Sequence, residues 1–150
     1  MSSTNNALIL VARIFLSAMF IMAGFGKLVD PAGTAGMIAN AGFPQTLAPA
    51  LAYLAGAFEL VAGLAVLVGF QVKIVGWALA AFCLFTAFVF HGSPINVPAF
   101  PEGANKLLST FNQIMMMKNI TLAGAYLLLA TVGAGAYSLD ARRGAKPALA

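Results

Sequence analysis

The stretch Leu47 to Phe70, LAPALAYLAGAFELVAGLAVLVGF, is apolar enough to lie inside a bilayer yet carries one carboxylate, Glu59, near its middle. A charge at the centre of a hydrocarbon layer costs about 2.5 to 3.5 kcal/mol on insertion scales, so it normally faces a protein interior, a partner charge or a wet cavity. At helical spacing Ala52, Gly56, Glu59 and Gly63 share one face, and small residues on that face let a second helix come close. Glu59 is therefore expected to point into a helix bundle.

The rest of the chain is of the same kind. Hydrophobic residues make up 61% and charged residues 8% of the 150, too little polar surface for a soluble globule of this size. The expectation is one all-α, polytopic membrane domain. Its net charge of +4 is spread among apolar segments without a basic stripe, which argues against nucleic acid as a partner. The single cysteine, Cys83, excludes an internal disulfide, and the single histidine, His91, excludes a two-histidine haem site.

Four spans are read at about 7–27, 47–69, 72–90 and 118–137, each close to the roughly 20 residues that cross a bilayer, in an antiparallel four-helix bundle. The first is not read as a signal peptide, because its leader lacks Lys and Arg, the run is long, and Arg13 interrupts it. Arg13, Ser17, Phe20, Gly24 and Lys27 form its polar and small stripe. By helix rise, Arg13 lies roughly 9 Å and Glu59 about 16 Å from the same boundary, within reach of an extended Arg side chain. A buried Arg13–Glu59 ion pair is expected, against the alternative that Arg13 snorkels to the head groups.

Between the first two spans, 30–49 reads as a surface segment with one or two helical turns. The third span offers a small-residue face, Gly76, Ala80, Cys83 and Ala87, on which Cys83 is a buried hydrophobe. Residues 91–118 read as an ordered polar outer loop, a lid on the bundle. In the fourth span Gly124, Leu128, Thr131 and Gly135 share a face, and the tail from Ser138 reads as mobile. By the positive-inside rule Lys73, Arg142, Arg143 and Lys146 are expected on the cytoplasmic side, together with both termini.

Arg13 with FIMAGFGKL, GAFELVAGLAVLVG around Glu59, a His closing the third span, MKNITLAGAYLLL and GAYSLDARR together resemble the DoxX family of small four-helix membrane proteins, over nearly the whole chain. That family is named for a subunit of an archaeal thiosulfate:quinone oxidoreductase, and other members are proposed to support redox or stress-defence complexes. The resemblance implies a membrane subunit of a redox-linked system with no covalently bound cofactor, working with a quinone, membrane lipid, and a partner redox protein or a second copy of itself.

In this light Lys27, His91, Lys118 and Asn119 are the candidate ligand-binding residues. A quinone carbonyl needs donors of this kind at the membrane edge and an apolar slot for its tail, which Met22, Phe25, Phe90 and Met115 to Met117 are expected to line. The Met run is not read as a Cu(I) site, since consecutive helical positions point about 100° apart. Lys and His at span ends also serve simply as interfacial anchors. The alternative function is a non-catalytic membrane module that recruits, stabilises or transports, and no catalytic residue is assigned.

Overall fold

The computed structural model describes residues 2–144. The chain forms six helices, α1 (Ser3–Val29), α2 (Ala32–Asn40), α3 (Ala48–Val68), α4 (Val72–His91), α5 (Glu102–Val132) and α6 (Leu139–Arg142), with no strand among the described residues. Of these, α1, α3, α4 and α5 are long and apolar enough to cross a membrane. Large side chains such as Phe15, Met22, Leu54, Val61, Ile74 and Leu128 are exposed on the outside of the bundle, as expected where lipid is the solvent. The chain is an all-helical four-helix membrane bundle.

The bundle is built of two helix pairs, because α1 packs mainly along α3 and α4 mainly along α5. Small residues set the approach within each pair. A Cβ on Gly24 would stand 2.7 Å from the Gly56 carbonyl oxygen and 2.9 Å from the Leu60 Cα, and one on Gly76 would stand 2.9 Å from the Tyr126 carbonyl oxygen. Between the pairs the spacers are aromatic. Phe20 meets Tyr126 edge-on at 5.5 Å and Phe58 meets Phe82 at 5.0 Å, while the Tyr126 hydroxyl donates to the Leu16 carbonyl at 2.8 Å.

The faces read from α1, α3 and α4 are the buried ones: Arg13, Ser17, Phe20 and Gly24; Ala52, Gly56, Glu59 and Gly63; Gly76, Ala80, Cys83 and Ala87. The face read from the fourth span is not. Leu128 and Thr131 are exposed and Gly124 meets open space, whereas Asn119, Ala123, Tyr126 and Ala130 are buried. Polar Asn119 and bulky Tyr126 belong to the interior because each has a hydrogen-bond partner there.

Two boundaries also differ. The fourth spanning helix starts at Glu102, not near 118, and stops at Val132, where Gly133 with φ 86 breaks it. Its polar residues do not mark a loop. Asn105, Ser109 and Asn112, at steps of four and three, hold the short connection 92–101 against the helix: Asn105 bonds Val97 and Phe100, Ser109 bonds both backbone groups of Ile95, and Asn112 bonds the Ser93 carbonyl. The connection is ordered, but it is about a third as long as expected.

Residues 138–144 are docked rather than mobile, and 145–150, including Lys146, lie outside the described residues. The Asp140 carboxylate accepts from the Gln71 and Val72 amides at 2.8 and 2.9 Å, capping the start of α4, where negative charge also complements the helix dipole. Arg143 sits over the Phe70 ring, 4.7 Å from its centroid.

The glycine contacts predict opposite outcomes for two neighbours on α1. Gly24→Ala should lower stability in detergent by about 1–3 kcal/mol through overpacking, while Gly26→Ala, with nothing within 4 Å of its new methyl, should change it by no more than ~1 kcal/mol. Thermal unfolding of the two variants beside the parent protein checks both values.

Candidate functional site

Glu59 and Arg13 do not meet. Close approaches between Gly24 and Leu60 and between Ile21 and Gly63 fix the register of α1 and α3, and that register sets Glu59 opposite position 25, ~18 Å along the axis from Arg13. Helical side chains also lean towards their own N-terminus, which turns Arg13 away from Glu59. The expected ion pair is replaced by two separate arrangements.

At one end of the bundle the Arg13 guanidinium donates to four carbonyls, those of Val66 at 3.0 Å, Leu67 at 2.8 Å, Tyr137 at 2.9 Å and Ala134. Val66 and Leu67 belong to the last turn of α3, whose carbonyls lack the usual amide partner four residues on, so Arg13 caps that helix and complements its dipole. Towards the other end, the Lys27 ammonium meets Glu59 Oε2 at 2.6 Å. In antiparallel helices the N-terminal lean brings these two side chains towards each other, so Lys27, not Arg13, is the counter-charge of the buried carboxylate.

That pair lies in the wall of a partly open cavity of about 370 Å³ between the two helix pairs. All four candidate residues, Lys27, His91, Lys118 and Asn119, line it, and so does Glu59. The remaining wall is largely apolar, with Met19, Phe20, Met37, Ile38, Phe43, Phe82, Phe85 and Phe90. The slot is therefore not the one expected. Phe90 is in it, but Met22, Phe25 and Met117 are exposed on the outside of the bundle, and Met116 lines a separate polar recess. Nor does the connection 92–101 form the lid. That position belongs to α2 and Phe43, which pack on α3 around Ile38, Ala48 and Ala52 and supply Thr34, Met37 and Ile38 to the cavity.

The polar groups stand at different depths. His91 closes α4, while Asn119 donates to Thr86 Oγ1 at 3.1 Å, five residues or ~8 Å deeper. Asn112 gives its amide hydrogens to backbone carbonyls, including that of Ser93 at 2.9 Å, so its Oδ1 accepts and His91 Nδ1, 2.7 Å away, donates. The neutral His91 ring is left with the Nε2 lone pair for a ligand. Nε2 can accept from a hydroxyl, and Lys118 and Asn119 can donate to a carbonyl.

The DoxX family model matches residues 8–92, more than half of the chain. The chain belongs to the DoxX family. Two relatives from Escherichia coli (strain K12) agree with this: inner membrane protein YqjF is 41% identical over 132 residues, covering 88% of each chain, and inner membrane protein YphA is 32% identical over 135 residues, covering 90% of this chain and 89% of its own. No solved structure matches the chain. In this DoxX protein the matched region carries Lys27, Glu59 and His91, whereas Lys118 and Asn119 come from α5 beyond it.

A double-mutant cycle distinguishes the two charge arrangements. Lys27→Met and Glu59→Gln should be coupled by about 1–3 kcal/mol in unfolding stability, and Arg13→Met with Glu59→Gln should be additive within about 0.5 kcal/mol, as for sites without shared partners.

Proposed function

We propose that this DoxX-family protein binds a quinone or a similar amphipathic lipid between its helix pairs as the membrane subunit of a redox-linked system. The observation that carries the reading is the convergence of five polar side chains from four helices, Lys27, Glu59, His91, Lys118 and Asn119, on one otherwise apolar cavity. Its volume of about 370 Å³ falls at the small end of ligand pockets. It suits a head group, with the tail continuing into lipid. Lys118 and Asn119 would hold a quinone carbonyl, and His91 Nε2 would take a hydroxyl of the reduced form. A quinone supplies electron-carrying chemistry that the side chains lack, and any onward transfer requires a partner protein's cofactor or a second copy of the chain.

The reading includes an orientation. Lys73, Arg142 and Arg143 gather at the Arg13 end, by the α3–α4 hairpin and α6, so we place that end in the cytoplasm and the cavity towards the outer half of the inner membrane. A fluorescent protein fused after Gly144 should mature in the cytoplasm, and alkaline phosphatase inserted after Ala99 should be active. The opposite pattern inverts the orientation.

Binding is tested with purified protein in mild detergent. A quinol analogue should bind saturably, His91→Ala should weaken it by about 1–2 kcal/mol, the scale of one hydrogen bond in a partly desolvated site, Ala55→Trp should abolish it by filling the cavity, and Leu128→Ala on the lipid face should leave it unchanged. Absence of saturable binding in the parent protein, with no quinone or lipid extracted from it, would leave a recruiting or stabilising module as the better reading.

A further inference from the structure

The charges around the cavity do not balance. It is lined by two lysines and one carboxylate, and Lys27 already holds that carboxylate at 2.6 Å. The chain's other acids cannot serve Lys118. Asp30 bonds the first turn of α2, Asp140 caps α4, and Glu102 opens α5 sixteen residues before Lys118, ~24 Å along the helix axis. Among the described residues Lys118 has no ion-pair partner.

Its depth makes this costly. Asn112 pairs with His91 at the end of α4 and Asn119 pairs with Thr86, which puts Lys118 ~9 Å below the end of α4. Its side chain is exposed rather than packed, and an ammonium facing hydrocarbon or an apolar cavity at that depth calls for a counter-charge. The one carboxylate that lines the cavity is already held by Lys27, and an aromatic and aliphatic wall favours a counter-charge attached to an apolar body over a small hydrated ion.

We infer that the cavity selects an amphiphile whose head group carries a single negative charge, an ionised oxygen acid held by Lys118, over one with a neutral head. The inference rests on reading the cavity as an amphiphile site and narrows the class of ligand it takes. Two sources share this chemistry, an acidic hydroxyl on a quinone ring and the carboxylate of a fatty acid.

The test uses two probe pairs that differ in charge alone, an alkylated hydroxynaphthoquinone with its methyl ether and palmitate with its methyl ester, titrated into the full-length protein in lipid nanodiscs. The acid should bind about tenfold or more tightly than its neutral partner in at least one pair, and the pair that shows the preference identifies the source. Lys118→Arg should keep the preference, Lys118→Gln should bring the ratio to about one, and Lys106→Gln, outside the cavity, should leave it intact. Equal binding of acid and neutral forms by the parent protein overturns the charge selection while leaving the amphiphile site standing. Saturable binding of none of the four probes overturns both. A preference that survives in Lys118→Gln removes Lys118 from the recognition.

Discussion

A carbonyl oxygen inside a bilayer has no water to turn to, and every helix end set below the membrane surface leaves several such oxygens without partners. Arg13 answers this for a large part of the molecule. Its planar guanidinium takes two carbonyls from the last turn of α3 and two from the segment after α5, so one side chain of α1 ties three parts of the chain together. With that segment held, Asp140 reaches the otherwise uncapped amides at the start of α4. The placement of α4 and α5 against α1 and α3 follows from this chain of contacts.

The same economy shapes the space between the pairs. Glycines and alanines allow backbones to touch within a pair, and aromatic rings hold the pairs apart. Away from the Arg13 end the separation is not filled by side chains, and α2 covers it. The cavity is thus a product of two packing rules applied to different faces of the same helices. Apart from Lys118, its main polar groups stay there because each has a partner, Glu59 on Lys27, Asn119 on Thr86 and His91 on Asn112.

Most of the bundle is legible in the sequence because membrane helices must bury their few polar and small residues. That rule picks out the inner faces of α1, α3 and α4, while Lys27, His91, Lys118 and Asn119, which line one cavity, follow instead from reading polar donors at the ends of the spans. It fails on α5. There the small residues Gly124 and Thr131 face outward, and the polar Asn105, Ser109 and Asn112 serve a neighbouring connection rather than marking an interruption. The partner of Glu59 was misread because distance from a helix end does not give register. Arg13 lies beyond the end of α3 in the packed pair, and only the glycine contacts reveal the offset. Tyr126, which bridges the pairs through the Leu16 carbonyl, gave no signal, since a tyrosine in an apolar run looks like any other aromatic.

The clamp of Arg13 and Asp140 grips one end of the two pairs, and the cavity opens towards the other. Geometrically, the two pairs are long arms joined at the α3–α4 turn. From Val72 to Ala87 the arm is ~22 Å long, so a change of about three degrees at that turn alters the far gap by roughly 1 Å, the scale that separates a snug head group from a loose one. The width of the cavity is thus tied geometrically to contacts at the other end of the bundle, made by residues that do not line it.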